Sequence, residues 1–86
     1  MNPNAIESLR VILKKAKQIC EQNGNKNAIT EWIPLVELPV KREERRDVCE
    51  ELERNGCISE VTYLGWQAIQ CRVHIKIAEK CLQQES

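Results

Sequence analysis

The amino-acid sequence predicts an α+β fold, in which helices are followed by an antiparallel hairpin and a short closing helix. Two observations carry this prediction. Apolar residues recur every three or four positions near the start of the chain, as in an amphipathic helix, whereas they alternate with polar residues over 69–77, as in a strand. With 86 residues the chain fits one small domain, which we take to span 1–86.

The first predicted element is an amphipathic helix over 4–22. Asn4 can cap this helix, with Glu7 three residues later completing a capping box, and Gly24 suits the left-handed residue that ends it. Its apolar face consists of Ile6, Leu9, Ile12, Leu13, Ala16, Ile19 and Cys20. Its outer face carries a basic stripe that includes Lys14 and Lys17.

A short second helix is predicted over 31–38. Thr30 can cap it, and Pro34 is tolerated because it falls in the first turn, where backbone N–H groups lack partners anyway. Pro39 ends this helix, since the residue before a proline is pushed out of the helical region. We expect Val40 to be buried in the turn that follows.

A third helix is predicted over 41–54. Val48, Cys49 and Leu52 form its inward face, and the pair Asn55-Gly56 is a typical helix end. At 100° per residue the outward side chains are then Glu43, Arg46, Asp47, Glu50 and Arg54.

The chain then changes to a β pattern. Residues 57–63 are rich in β-branched side chains, and Gly65 can form a compact turn before the alternating segment 69–77. His74 then lies on the polar, solvated face of the second strand, and 78–84 forms the closing helix.

A three-residue loop centred on Gly65 sets the register of this hairpin. Such a loop pairs Val61 with Ile69 and Ser59 with Cys71, which brings the apolar faces together.

One alternative to the second strand is a single long helix over 66–84. Its apolar seam would be Ala68, Cys71, Ile75, Ala78 and Leu82. We prefer the strand because Ile and Val dominate this segment, and β-branched side chains pack well on a pleated surface.

The composition and charge exclude several classes of protein. Lys and Arg together number 13, as do Asp and Glu, so neither a polybasic nor an acidic tail is present. No apolar run approaches the roughly 18 residues of a membrane span, and the start of the chain lacks a basic-then-apolar export signal. We therefore expect a cytoplasmic protein that does not enter a membrane.

The cysteines do not form a metal or redox motif. They are Cys20, Cys49, Cys57, Cys71 and Cys81, and no two form a Cys-x-x-Cys pair. The single histidine, His74, lies three residues after Cys71, without further ligands at metal-site spacing. We expect free core thiols in a reducing compartment, and we predict no metal, no cofactor and no Cys–His nucleophile.

Two sequence runs carry a resemblance to a known family. They are Leu35-Val36-Glu37-Leu38-Pro39-Val40-Lys41 and Leu52-Glu53-Arg54-Asn55-Gly56-Cys57-Ile58. In this order of elements they resemble the winged helix-turn-helix family over about 30–77. The resemblance implies a small winged-helix domain with a three-helix core, a two-stranded wing over 57–77 and a short C-terminal helix. Pro39 and Arg45 depart from the family pattern, which often has Gly at the first position and an apolar residue at the second.

The resemblance also implies a function. In that family the third helix lies in the major groove of DNA, so the chain would be a small transcriptional regulator that binds double-stranded DNA. The side chains assigned to DNA contacts are Lys41, Arg42, Arg45, Arg46, Lys14, Lys17 and Trp66.

A second function stays open on the same fold. Glu43, Asp47 and Glu50 would repel phosphates from the third helix, and the net charge of the chain is zero. Both facts favour a protein–protein interaction adaptor that binds no nucleic acid. A homodimer is a further alternative, since so small a domain buries a limited core. We do not expect an enzyme, because the sequence has no nucleophile–base pair, phosphate loop or metal-ligand spacing.

Overall fold

The computed structural model describes residues 1–22, 33–35, 38–65 and 67–85. The helices are α1 (Pro3–Gln22), α2 (Arg45–Arg54) and α3 (Ile75–Glu85), and the strands are β1 (Ile33–Pro34), β2 (Ile58–Leu64) and β3 (Gln67–Val73). The strands form one antiparallel sheet in the order β1-β3-β2. The predicted α+β class is thus confirmed. The roles predicted for Gly24 and Thr30 lie outside the described residues.

None of the described helices is both long and apolar enough to cross a membrane.

α1 begins one residue earlier than predicted, and its cap is Asn2. The Asn2 carbonyl accepts a hydrogen bond from the Ala5 N–H at 2.9 Å, and its side-chain Oδ1 accepts one from the Asn4 N–H at 2.8 Å. Pro3 occupies the first helical position, where its missing N–H has no intrahelical partner to lose. The predicted cap at Asn4 is therefore wrong, and Glu7 forms an ion pair within the helix instead of a capping box.

The predicted second helix over 31–38 is wrong in the residues that the structure describes. Ile33 and Pro34 form β1, which pairs with β3, and the Leu35 N–H donates to the Ile69 carbonyl at 3.0 Å. The residue before a proline favours an extended backbone, and an edge strand tolerates the missing proline N–H. The edge of β3 thus provides hydrogen-bond partners that a short helix interrupted by proline lacks.

α2 confirms the third predicted helix. A single 3₁₀ turn over Arg42–Glu44 leads into Arg45–Arg54. The three predicted inward residues, Val48, Cys49 and Leu52, are all buried. The five side chains predicted to point outward are all exposed.

α2 ends at a glycine in the left-handed conformation. Gly56 has a φ of +76°, its N–H donates to the Glu53 carbonyl at 3.0 Å, and the Cys57 N–H donates to the Leu52 carbonyl at 3.0 Å. This pair of hydrogen bonds is a Schellman motif, which satisfies carbonyls left open at a helix end. The His74 N–H then donates to the Cys57 carbonyl at 2.9 Å, so the end of the hairpin is attached where the hairpin begins.

The hairpin is present, but its register differs by one residue from the prediction. Ser59 pairs with Arg72 rather than with Cys71, so the predicted pairing of Val61 with Ile69 is also wrong. Because Leu64 pairs with Gln67, the turn between them contains two residues rather than the predicted three.

Irregularities in both strands accompany this register. Between the pairs Ser59–Arg72 and Thr62–Gln70, two residues of β2 face one residue of β3, and Glu60 there has a φ of +51°. Directly afterwards β3 contains one extra residue. Because each bulge inserts one residue into a different strand, the two shifts cancel.

The boundary between β3 and α3 lies earlier than predicted. Residues 67–73 are extended, so the alternative of one long helix over 66–84 is wrong. α3 begins at Ile75, and the carbonyl of His74 accepts its first helical hydrogen bond at 2.9 Å. The predicted strand over 69–77 is therefore too long at its end.

One hydrophobic core lies between the helices and the sheet. Its largest fully buried apolar side chains are Leu9, Ile12, Leu35, Leu52, Ile58 and Val73. Val40 packs against this core but is half-buried, not buried as predicted. All five cysteines are free thiols, and Cys49, Cys57 and Cys71 are buried in the core as predicted, whereas Cys20 and Cys81 are only partly buried. α1 packs on both α3 and α2, and it also contacts β1 and β3.

We expect Gly56→Ala to lower the free energy of unfolding by about 1–2 kcal/mol, because a Cβ disfavours the left-handed backbone. An added Cβ would meet Ile77 Cγ2 at 3.8 Å, an ordinary contact, so the loss is conformational and not steric. Gly56→Asn should lower the free energy of unfolding by less, since asparagine tolerates the left-handed conformation. Urea unfolding measures both; equal stability of Gly56→Ala and the wild type would contradict the helix end described here.

Candidate interaction surface

The exposed part of α2 and the hairpin side chains that contact it form the candidate functional surface, here called the α2 surface. Its members are Lys41, Arg42, Glu43, Arg46, Asp47, Glu50, Glu53 and Arg54 from the helix and its start, with Tyr63 and Gln67 from the hairpin. The helical period divides it into an edge beside the hairpin and an outer crest.

The edge beside the hairpin is held by polar and aromatic contacts. Arg42 Nη2 donates to Gln67 Oε1 at 3.1 Å, and the Arg46 guanidinium lies 5.3 Å from the centre of the Tyr63 ring. The Tyr63 hydroxyl donates to Glu53 Oε1 at 3.2 Å. Two of the basic side chains predicted to contact DNA are therefore engaged within the domain.

Arg46 is engaged a second time on its own helix. Its Nε lies 3.2 Å from Glu50 Oε1, four residues later, and both side chains are about half exposed. A surface pair of this kind stabilises a helix by only a few tenths of a kcal/mol, but it places a carboxylate directly beside the cation.

The opposite side of α2 faces the start of α1. The Asn2 N–H donates to Glu51 Oε1 at 3.2 Å, and Asn4 Nδ2 donates to Glu44 Oε2 at 3.4 Å. These groups line an open cleft of about 240 Å³ together with Asp47 and Val48. Carboxylates beside a helix N-terminus are favourable, so Glu44 and Glu51 have a structural role in joining the two helices.

The outer crest of α2 is acidic. It consists of Glu43, Asp47, Glu50 and Arg54, all exposed. Glu43 and Asp47 make no ion pair with any residue in the described ranges. Residues 41–54 contain five basic and six acidic side chains, so the net charge of the helix and its start is −1.

The predicted DNA contacts do not form a single basic surface. Lys17 Nζ pairs with Glu79 Oε1 of α3 at 3.2 Å, whereas Arg42 and Arg46 contact the hairpin. Lys14 and Lys41 are exposed, and neither makes an ion pair within the described part of the chain. The remaining aromatic candidate, Trp66, lies outside the described residues.

Arg45, a further predicted DNA contact, is buried. Only 8% of it is exposed, and its Nε has no hydrogen-bond partner in the described structure. Its position follows from the helical period, since it precedes Val48, Cys49 and Leu52 by three, four and seven residues. That spacing was visible in the sequence and could have assigned Arg45 to the inward face.

His74, the residue that follows β3, differs from its predicted exposure. This histidine is half-buried rather than solvated, and its Nε2 lies 2.8 Å from Ser59 Oγ across the hairpin.

Burial raises the pKa of the Cys49 and Cys71 thiols to about 12, so little thiolate is present there at neutral pH. The described residues contain no group of three His, Cys, Asp or Glu side chains placed to hold a metal ion.

Sequence reasoning missed three members of the α2 surface. Glu53, Tyr63 and Gln67 gain their role from contacts between α2 and the hairpin, and no local pattern marks such pairs. The only available signal was the predicted hairpin itself, which had to fold back toward the preceding helix.

No protein-family model matches the chain, and comparison with curated proteins and with solved structures finds no match either.

The single tyrosine gives a direct test of the contact between α2 and the hairpin. Burial, and then the Glu53 carboxylate, raise the pKa of Tyr63 to about 12 from a usual value of 10.0. Because the unfolded chain loses this proton first, the stabilisation from the neutral phenol is complete below pH 10 and falls away between pH 10 and 12.

Phenolate absorbance near 295 nm measures this titration in the folded protein and in urea. We expect the folded midpoint to lie well above the unfolded one, and Glu53→Gln to lower it part of the way. Identical midpoints in the two states would contradict the contact.

We expect Arg45→Met to raise the free energy of unfolding by about 1 kcal/mol, because it removes a buried donor without a partner and keeps an unbranched side chain. Arg46→Met is the matched control. It removes an exposed cation that contacts Glu50 and Tyr63, so it should lower stability slightly. Urea unfolding of both variants measures these changes in stability. A large decrease in the free energy of unfolding with Arg45→Met would show that the guanidinium has an essential partner.

Proposed function

We propose that the protein is a non-enzymatic interaction domain whose acidic α2 crest binds a basic surface on a partner protein. The observation that carries the proposal is the charge of the crest. Glu43, Asp47 and Glu50 are exposed there, while Arg42 and Arg46 are engaged with the hairpin or with Glu50.

The arrangement of elements supports a winged-helix-type scaffold for this surface. A hairpin follows α2, and β1 adds a third strand beside β3. β1 lies within the segment that the resemblance assigns to a second helix, so the scaffold departs from a helix-turn-helix at that point. A fold of this type does not by itself determine the partner, which depends on the surface.

Electrostatics favours a protein partner over duplex DNA. A phosphate backbone placed along α2 would approach the carboxylates of Glu43 and Asp47, which repel it. It would also compete with Glu50 for the Arg46 guanidinium. Lysine and arginine side chains of a partner protein would instead find carboxylates that make no ion pair within the described residues, and such complementarity speeds association.

An apolar side chain near the hairpin turn supports a contact of mixed character. Leu64, the last residue of β2, is 71% exposed. Protein interfaces combine apolar anchors with a polar rim, and Leu64 offers such an anchor on the strand that also carries Tyr63.

The same charge argues against a symmetric homodimer through the crest, because two copies would bring carboxylate against carboxylate. The proposal therefore names a different, basic protein as the partner. A cytoplasmic location is part of it, and five free thiols are consistent with a reducing compartment.

Binding to double-stranded DNA is the second candidate. The observation in its favour is a group of basic side chains, Lys41, Arg42 and Arg46, which lies at the start of α2 beside the hairpin. Lys41 is exposed and makes no ion pair with any described residue.

Amide-shift titrations of the full chain compare two probes at low salt, a mixed-sequence duplex and a lysine- and arginine-rich peptide. We expect the peptide to shift the α2 resonances, and the double variant Glu43→Gln/Asp47→Asn to weaken its binding about tenfold. The matched control Glu21→Gln/Glu79→Gln carries the same change in net charge at two other helices, and should bind nearly as the wild type does.

Two results would overturn the proposal. One is equal weakening by both double variants, which would show only non-specific attraction. The other is binding of the duplex with a steep loss of affinity as salt rises. In that case Arg46→Ala should weaken DNA binding and Glu50→Ala should strengthen it, and the second candidate replaces the first.

A further inference from the structure

We propose that Cys57 and Cys81 are a redox modification site, which a low-molecular-weight disulfide such as oxidised glutathione converts into an intramolecular disulfide. The two Sγ atoms lie 3.3 Å apart, with the Cys57 thiol donating to the Cys81 sulfur. The bond would join the turn that follows α2 to α3, through two cysteines that are 24 residues apart in the sequence.

The backbone around Cys57 is fixed from both sides. Its N–H donates to the Leu52 carbonyl at 3.0 Å, and its carbonyl accepts from the His74 N–H at 2.9 Å. A disulfide bond is about 2 Å long, so the two sulfurs need to approach by only about 1 Å, which is within reach of small side-chain rotations.

An independent contact places α3 along the same segment. A Cβ added at Gly56 would lie 3.8 Å from Ile77 Cγ2, so this side chain of α3 stands beside the residue before Cys57. Ile77 and Cys81 are four residues apart and share one face of the helix. That face of α3 therefore lies beside the turn of Gly56 and Cys57, and the proximity of the two sulfurs follows from the packing of the helix.

The exposure of the two thiols sets the order of the reaction. Cys81 is partly exposed, whereas Cys57 is fully buried. The Cys81 thiolate attacks one sulfur of oxidised glutathione, which forms a mixed disulfide and releases one glutathione. The Cys57 thiolate then attacks the Cys81 sulfur and releases the second glutathione. Two protein thiols are oxidised, one small disulfide is reduced to two thiols, and the protons pass to the released thiolates.

The second step depends strongly on pH. Burial, and then the hydrogen bond with Cys81, raise the pKa of Cys57 to about 12. In the mixed disulfide Cys81 no longer carries a thiol, but burial still disfavours the Cys57 thiolate, so the rate of ring closure should rise with pH. An excess of glutathione reverses the reaction, so the modification is reversible.

The test treats the full-length protein with oxidised glutathione, blocks the remaining thiols by alkylation, and measures masses without reduction. Digestion with trypsin and a glutamate-specific protease separates all five cysteines onto different peptides, because a Lys, Arg or Glu lies between each neighbouring pair. We expect a linked pair made of the peptides that carry Cys57 and Cys81, three alkylated thiols, and a higher melting temperature than that of the reduced protein.

Two variants complete the test. Cys81→Ser should abolish the linkage, and Cys20→Ser, which removes the other partly exposed thiol, should leave it unchanged. The proposal is overturned if glutathione remains attached to Cys81 without closure, or if the linked pair contains a different cysteine. The wild-type mass map needs no variant to fold, and it involves no binding partner, so its result is separate from that of the proposed function.

Discussion

The left-handed turn at Gly56 is the constraint on which the rest of the structure depends. Within two residues it ends α2 through the hydrogen bonds of Gly56 and Cys57, and it starts β2 in a fixed direction. The Cys57 carbonyl then receives the His74 N–H, so both ends of the hairpin and the start of α3 meet at one point. A residue with a Cβ would strain this turn, and every later element takes its position from it.

The electrostatic character of α2 follows from that geometry. Because the hairpin returns beside the helix that precedes it, Tyr63 and Gln67 come within reach of Arg46 and Arg42. Basic side chains that could contact an external anion are thereby used in contacts within the domain. The acids of the crest have no such neighbours on the described part of the hairpin, so the fold leaves negative charge at the surface.

α1 and α2 could be predicted from the sequence, whereas the sheet could be predicted only in outline and β1 was predicted as part of a helix. α1 and α2 show a regular apolar period, and the inward set of α2 followed from it directly. β1 has two residues and exists because the edge of β3 offers partners, which no local pattern reveals. The register depended on the turn and on a bulge at Glu60, where the backbone φ is positive. Of the candidate site, the outward residues were predictable, whereas the contact between Tyr63 and Glu53 joins separate elements and was not.

Arg45 shows how one inward residue changes the chemistry of a whole face. Counted along the sequence, 41–54 is nearly balanced, with five basic and six acidic side chains. Burial of Arg45 removes one cation from the surface, while the six acids remain exposed or half-exposed. The helix α2 and its start therefore present an excess of two negative charges at the surface. A fold does not by itself determine a partner, and this surface charge is what a binding partner meets.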